Sequence, residues 1–269
     1  MEQIKKWKRY FILYWRIQIQ NIRSLEQYRT DFLMMLFFTT LSQICNLSVI
    51  SIIYSNIPSV DGWNMWEILF LYGYLLFSEG SVNFFFQGSW KITQMLNKAE
   101  IDCFLVRPLP IGLQLITAKI DFDGLNKMFI ASAVFGLGAS HCTIKWSAGK
   151  VGYFIFTLLV ACIIRFSMIW IASCTSFWTE GTKNTLNYFI LTLGEMAKYP
   201  LTIYPPFLNI FFSYIIPYAF VSYYPVSYLL GKNTNIWNTL IICTVCGIML
   251  FLSNTVLKAG LKRYESTGN

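Results

Sequence analysis

A stretch from Tyr199 to Pro225 is as apolar as a membrane-spanning helix, yet prolines interrupt it repeatedly. They are Pro200, Pro205, Pro206, Pro217 and Pro225. Proline fixes φ and removes a backbone donor, so one continuous helix is not expected here. At membrane depth, broken backbone is tolerated only where neighbouring protein or a water-filled cavity satisfies the freed polar groups. The stretch therefore predicts short re-entrant or interfacial helices that cap a helical bundle.

An apolar extracellular loop that only packs against the bundle is the alternative interpretation of the same stretch. We favour an extracellular re-entrant segment over residues 199–230, because broken helices recur at the transport sites of membrane proteins.

The composition of the whole chain places it in a membrane. Of its 269 residues, 55% are hydrophobic and only 13% are charged, whereas soluble domains contain about 25% charged residues. The net charge is +8, and a basic balance can indicate nucleic acid or an anionic membrane surface. Because the lysines and arginines cluster at the ends of the apolar runs, the membrane explains them and no nucleic-acid partner is expected. The length suits one membrane domain, residues 1–269.

Six apolar runs predict an all-α membrane protein with six transmembrane helices, since roughly 20 residues cross a bilayer. The runs cover residues 32–54, 66–90, 121–141, 149–171, 184–197 and 236–257. The fifth run is short and must extend toward residue 204 to cross. Residues 1–30 combine basic positions with a Trp-rich apolar side at helical spacing, which predicts an amphipathic interfacial helix.

Lysines and arginines near the span ends decide the orientation. With both termini in the cytoplasm, only four of them face outward, namely Lys145, Lys150, Lys198 and Lys232. Six crossings satisfy this bias, because a seventh would move the basic carboxyl terminus to the outside.

Charged residues inside the apolar runs are candidate functional residues, because they are costly there. Glu79 lies inside the second run, Arg165 inside the fourth, and Glu195 near the outer end of the fifth. Arg165 requires a carboxylate or carbonyl partner, and Glu79 and Glu180 are both candidates. Glu79 has two equally weighted interpretations: a functional acid, or a structural ion pair within the bundle.

The longest polar stretch between spans runs from Lys91 to Lys119. Apolar residues recur along one side of its first part, from Ile92 to Cys103, and residues 107–110, RPLP, end the pattern. A short amphipathic helix of this kind can dock a soluble partner or lie flat on the lipid. The sequence leaves both open.

The sequence lacks the motifs that several kinds of chemistry require. No G-x-x-x-x-G-K-[ST] sequence occurs, so the chain is not expected to bind ATP in the P-loop manner. One histidine and a CxxC pair within a span, Cys243 and Cys246, make neither a metal site nor a redox site. No activated nucleophile or base for a membrane hydrolase is evident, so no enzyme activity is expected.

Four stretches carry a resemblance to a known family. They are IPSVDGW at 57–63 with FLYG at 70–73; AEIDCFLVRPLP at 99–110; IDFDGL at 120–125; and KYPLTIYP at 198–205 with IIPYAFVSYYP at 215–225. The chain resembles the permease subunit of ABC type-2 exporters. More narrowly, it resembles a family of small bacterial permeases whose genes often come in pairs beside one ATPase gene.

This resemblance implies a bacterial cell membrane protein that works with two ATPase subunits and with a second related permease or a second copy of itself. ATP and Mg²⁺ would bind to the ATPase chains, and this chain would need no cofactor. The cytoplasmic loop 91–110 would couple to the ATPase through Met95, Ile101, Asp102, Phe104, Leu105, Arg107 and Pro108. The outer gate would include Tyr199, Pro200, Tyr204, Pro205, Pro217 and Pro225.

Two functions from other classes remain open on the sequence. A stand-alone ion-coupled carrier would use Glu79 and Arg165 as its relay, and an intramembrane enzyme would use Arg165 with Glu79, Asp121 or Asp123. The cargo of an exporter stays equally open among a drug, an antimicrobial peptide and a lipid-like molecule.

Overall fold

The computed structural model describes residues 2–25, 29–179, 185–233 and 237–265, and these form helices without any strand. The helices are α1 (Glu2–Leu25), α2 (Arg29–Asn56), α3 (Met65–Phe86), α4 (Ile92–Asn97), α5 (Glu100–Leu105), α6 (Ile111–Thr117), α7 (Phe122–His141), α8 (Ala148–Cys174), α9 (Thr185–Met196), α10 (Pro206–Ile210), α11 (Tyr218–Val221), α12 (Tyr223–Leu229) and α13 (Trp237–Arg263). The all-α prediction is confirmed.

Helix α3 is the centre of the bundle. A capping box starts it: the Asn64 side chain accepts a hydrogen bond from the Glu67 amide at 3.0 Å, and the Glu67 carboxylate accepts one from the Asn64 amide at 2.9 Å. Residues 68–76 are all buried. A helix that is apolar on every side is stable only when neighbouring elements surround it.

Glycines allow α7 to lie directly against α3 in antiparallel orientation. A Cβ atom added to Gly138 would lie 2.7 Å from the amide nitrogen of Phe70, and one added to Gly80 would lie 2.6 Å from the carbonyl oxygen of Gly124. Both distances are too short for a carbon atom. Small residues let helix backbones approach closely in a membrane, where no hydrophobic effect drives helices together. These glycines therefore determine the spacing of the central pair.

The peripheral helices α2 and α13 expose apolar side chains along most of their lengths. Phe37 and Phe38 of α2 and Phe251 of α13 are examples. In water such surfaces would aggregate, but lipid or a second membrane subunit covers them in a bilayer.

Four helical segments are long and apolar enough to cross a membrane: Thr30–Asn56, Met65–Asn97, Ala148–Phe177 and Trp237–Arg263. A bent pair, Pro206–Ile215 and Tyr218–Leu229, would raise that number to five if it formed one crossing. Helices α7 and α9 do not meet the same criteria. The structure therefore shows a multi-pass membrane protein with four or five candidate spans, and the six-span count stays a prediction.

The proline-rich segment breaks where its prolines stand. Pro205 and Pro206 begin α10, where the missing amide would have no intrahelical partner in any case. A π-helical turn, Phe211–Ile215, extends α10, and the chain then bends by 74° at Pro217 before α11 and α12. No continuous helix forms here, as the prolines predicted.

Helix α1 packs against the rest of the chain through its polar side. The Tyr14 hydroxyl donates to the carbonyl of Phe85 at 2.8 Å, and Gln18 is buried. Phe11, Trp15 and Ile19 lie on another side and are exposed.

We predict that Gly124→Ala weakens the central helix pair, while Gly136→Ala on the same helix does not. The added methyl group at position 124 would overlap the backbone of Phe84 and Gly80, whereas position 136 has nothing within 4 Å. Overpacking of this kind costs about 1–3 kcal/mol. Thermal unfolding of both variants in detergent measures the difference, and equal midpoints would contradict the close-approach argument.

Candidate functional site

The most unusual feature of the bundle is a cluster of four charged side chains on α3, α7 and α8. One Glu79 carboxylate oxygen lies 2.9 Å from the Lys127 ammonium, and the other lies 2.8 Å from the Arg165 guanidinium. Lys127 also pairs with Asp123 at 3.0 Å. Two acids and two bases thus neutralise one another. The Arg165 side chain is only 2% exposed, so its charge depends on Glu79.

The structure places every predicted intramembrane charge with a partner. Arg165 pairs with Glu79; Glu180, the other candidate, lies outside the described residues. Glu195 pairs with Lys198 one helical turn away, and the Glu195 side chain is mostly exposed. Lys127 and Asp123 belong to the same cluster as Glu79, although no pattern in the sequence joined them to it.

The guanidinium of Arg165 also reaches the proline-rich segment, residues 199–225. Its carbon Cζ lies 5.6 Å from the ring centroid of Tyr218, a cation–π distance. The buried Tyr218 hydroxyl donates to the carbonyl of Ile190 on α9 at 2.9 Å. Helix α11 is therefore held at the depth of the ion cluster. Within the described residues, two Arg165 nitrogens, Nε and Nη1, have no hydrogen-bond partner.

A polar cleft opens beside the ion cluster. It consists of two cavities of about 530 and 340 Å³ that share Glu79, Lys127 and Glu195 in their linings. Uncharged polar side chains from α2, α3 and α9 line much of the rest: Ser42, Gln43, Asn46, Asn83, Asn187 and Thr192. Contact of these charged and amide side chains with lipid tails would be unfavourable.

The predicted outer-gate residues lie in and around the broken helices. Pro200 precedes a short 3₁₀ turn, Leu201–Ile203. The Tyr204 hydroxyl donates to the carbonyl of Met196 at 2.9 Å, which ties the segment to the end of α9. Pro225 is buried in the first turn of α12, and Tyr199 is half-buried.

A second contact at this end of the bundle was not predicted from the sequence. The Lys232 ammonium lies 2.9 Å from the Glu67 carboxylate and 4.7 Å from the centre of the Trp63 ring, and it donates to the Gly62 carbonyl at 2.6 Å. The loop between α2 and α3 is thereby joined to the residues that follow α12. The 57–63 motif marked this loop, but nothing in the sequence indicated Lys232.

At the opposite end, α4, α5 and α6 form a compact unit, residues 91–119, which we call the docking unit after the role proposed for it in the function of the chain. Met95 and Ile101 are buried, at 2% and 0% exposure, against Trp170, Cys174 and other residues of one apolar cluster. Leu105 is 53% and Val106 84% exposed. The unit thus has a buried side and an exposed tip.

The predicted coupling residues divide between these two sides. Leu105, Arg107 and Pro108 are exposed, and Asp102 and Phe104 are half-buried. Met95 and Ile101 hold the unit onto the bundle and do not present a surface to a partner in this structure. Val106, at 84% exposure, lies at the same tip, and it was not among the predicted coupling residues.

The docking unit is stabilised from within by a glutamine that sequence analysis also missed. The Gln114 side-chain amide donates to the carbonyls of Phe104 and Leu109, at 2.9 Å each. These bonds fix the turn that carries the exposed tip.

These features define a helical, multi-pass membrane protein with a polar cleft beside a buried ion cluster. A family model described as "ABC-2 family transporter protein" matches residues 40–268. The match covers most of the chain, so the chain belongs to the ABC-2 transporter family, as its motifs predicted. It is a permease, the membrane component of a transporter, and such components typically work with ABC ATPases. No curated protein and no solved structure matches the chain.

We predict that Glu79→Gln strongly destabilises the bundle. Removing one partner of a buried ion pair leaves the other charge uncompensated and costs about 3–5 kcal/mol. Arg165→Met combined with Glu79→Gln removes both charges of this pair and should recover most of the lost stability. The yield of monodisperse protein and its thermal midpoint measure both effects.

Glu67→Gln is the matched control, because Glu67 also pairs with a lysine but near the aqueous end of α3, and glutamine can replace glutamate in a capping box. It should cost at most about 1 kcal/mol. If Glu79→Gln were no more damaging than Glu67→Gln, Arg165 would not depend on Glu79.

Proposed function

We propose that the chain is the membrane-spanning permease of an ATP-driven exporter, and that two copies of a separate ATPase subunit dock onto the docking units of two permeases. The observation that carries this proposal is the exposed tip of residues 105–108 on a unit whose other side is buried. Two aliphatic side chains at 53% and 84% exposure favour contact with a partner, because an apolar surface loses unfavourable hydration when a protein covers it.

ATP and Mg²⁺ would bind to the ATPase chains. The permease would receive the movement of the ATPases through the docking unit and convert it into a rearrangement of the membrane helices, without bond chemistry of its own.

Six crossings with both termini in the cytoplasm of a bacterial cell agree best with the helix contacts. Helix α7 lies antiparallel to α3 from Gly124 to Gly138, so it extends through the same depth as a candidate span. Helix α9 has only 12 residues and would cross together with the residues that follow it. Helix α1 would lie in the cytoplasmic headgroup plane, with Phe11, Trp15 and Ile19 toward the lipid.

The polar cleft would line the translocation path. Because it is open along α2 and α9, a second permease, either a related chain or another copy, would close it. Polar lining beside aromatic residues such as Tyr188 supports an amphipathic cargo, whether a drug, an antimicrobial peptide or a lipid-like molecule. The broken helices from Tyr199 to Pro225 would form the outer gate.

The ion cluster offers less support to a stand-alone carrier or an intramembrane enzyme. A carboxylate that accepts a proton or binds an ion needs a free oxygen. One oxygen of Glu79 pairs with Lys127 and the other with Arg165. The cluster is more consistent with a structural role beside the path.

We expect a P-loop ATPase to co-purify with the detergent-solubilised permease and to be lost from the Leu105→Asp/Arg107→Glu double variant. These changes place charge on the exposed tip without touching the buried side. Lys119→Glu is the control, because Lys119 is exposed at the other end of the same unit. Retention of the ATPase by the double variant would exclude the tip as the docking surface.

Orientation can be tested with the native Cys103, which is exposed on α5. In sealed inside-out vesicles a membrane-impermeant maleimide should label Cys103 but not an Asp61→Cys substitution in the α2–α3 loop. Right-side-out vesicles should show the reverse. Labelling of both positions from one side would refute the proposed topology.

A further inference from the structure

One hydrogen bond connects the docking unit to the end of the last helix. The Tyr264 hydroxyl donates to the Asp102 carboxylate at 2.9 Å, although the two residues are 162 positions apart in the chain. The Tyr264 ring also lies edge-on to Phe177, with ring centroids 6.2 Å apart and an interplanar angle of 85°. Tyr264 therefore touches both the docking unit and the 3₁₀ turn that follows α8.

The turns of α13 that precede Tyr264 lie close against Phe177 and the docking unit. A Cβ atom added to Gly260 would lie 2.8 Å from Cγ of Phe177, so only glycine lets the helix approach this closely. Leu257 is buried in the same apolar cluster as Met95 and Ile101. Tyr264 follows Gly260 by one helical turn, which brings its hydroxyl to Asp102.

Helix α5 is held at Ile101, at Asp102 and, through Gln114, at the carbonyl of Phe104. A left-handed residue, Ala99 at φ +54°, separates α4 from α5, and this conformation is strained for a residue with a Cβ atom. Ile101 anchors one side of α5 in the apolar cluster. Asp102, the next residue, is bound by Tyr264 on another side, between the buried anchor and the exposed tip.

Tyr264 stays a hydrogen-bond donor at cellular pH. Burial, together with the hydrogen bond to Asp102 and the negative charge of that carboxylate, raises the pKa of Tyr264 to about 12. The hydroxyl consequently remains protonated at physiological pH.

We propose that Tyr264 is a positioning residue for energy coupling: it fixes the orientation of α5 and passes the movement of the docking unit into α13. The inference rests on the proposed permease function. Helix α13 packs along α8, which carries Arg165 of the ion cluster. A push on the tip at Leu105 and Val106 would reach the membrane helices through α13 as well as through the apolar contact of the docking unit with the end of α8.

The test uses the full-length permease in lipid nanodiscs, with a nitroxide on Cys103 and the other six cysteines replaced by serine or alanine. Tyr264→Phe keeps the ring on Phe177 but removes the donor. We expect the spin-label spectrum to gain a mobile component that grows about tenfold, which corresponds to the loss of one hydrogen bond to a charged group. With the ATPase subunits added, binding should persist while the ATP turnover of the complex falls by a similar factor.

Asp102→Asn tests the hydrogen bond itself, since asparagine retains an oxygen acceptor and should leave the spectrum close to that of the parent protein. Tyr54→Phe, at the other end of the bundle, controls for the loss of a hydroxyl as such. A parent-like spectrum and turnover for Tyr264→Phe would overturn the proposal. So would an Asp102→Asn variant as mobile as Tyr264→Phe, or a Tyr264→Phe variant that lost only thermal stability.

This outcome is separable from the proposed function. If the unmodified permease bound no ATPase, the exporter function would fail. If it bound one and Tyr264→Phe changed neither the spectrum nor the turnover, only the positioning role would fail.

Discussion

The arrangement of the central helices depends on the need to compensate Arg165. A guanidinium that is almost fully buried in an apolar bundle is stable only with a carboxylate beside it, and Glu79 supplies that carboxylate. Glu79 in turn accepts from Lys127, and Lys127 pairs with Asp123. Three helices, α3, α7 and α8, are thereby fixed in depth and rotation relative to one another. The close approach at Gly80 and Gly124 allows Lys127 to reach Glu79.

The two ends of the molecule are connected to this centre in different ways. At the end that carries the broken helices, the ring of Tyr218 lies against Arg165, so these helices touch the ion cluster directly. At the opposite end, the connection is apolar: Met95 and Ile101 of the docking unit pack with Trp170 and Cys174 at the end of α8. Helix α8 therefore contacts both the segment proposed as a gate and the unit proposed to receive the ATPase.

The sequence indicated the fold class and the location of the candidate site, but not its internal geometry. Apolar runs and prolines act locally, so the long helices and the break at Pro217 were predictable. Whether Arg165 pairs with Glu79 or Glu180 depends on how the helices pack, which the hydrophobic pattern of each helix does not specify. The charges at Asp123 and Lys127 keep α7 below the hydropathy of a typical span, although they meet their partners inside the bundle.

The docking unit shows the same limit. Helical spacing placed Met95 on one apolar side, and the family resemblance added Ile101 as a coupling residue. Neither could say whether these side chains face a partner, the lipid or the chain's own core. The structure assigns them to the core. Contacts such as Gln114 with Phe104, or Tyr264 with Asp102, involve residue types that are common on any surface, so no pattern in the sequence marked them.

The order of the charged residues along the chain has a consequence for biogenesis. An arginine at the centre of a helix makes insertion into the membrane less favourable by about 2.5–3.5 kcal/mol. Glu79 and Lys127 are synthesised before Arg165, and so are both glycine-packed helices, α3 and α7. When α8 is inserted, the carboxylate that will pair with Arg165 has therefore already been synthesised. The ion cluster can guide assembly as well as stabilise the finished bundle.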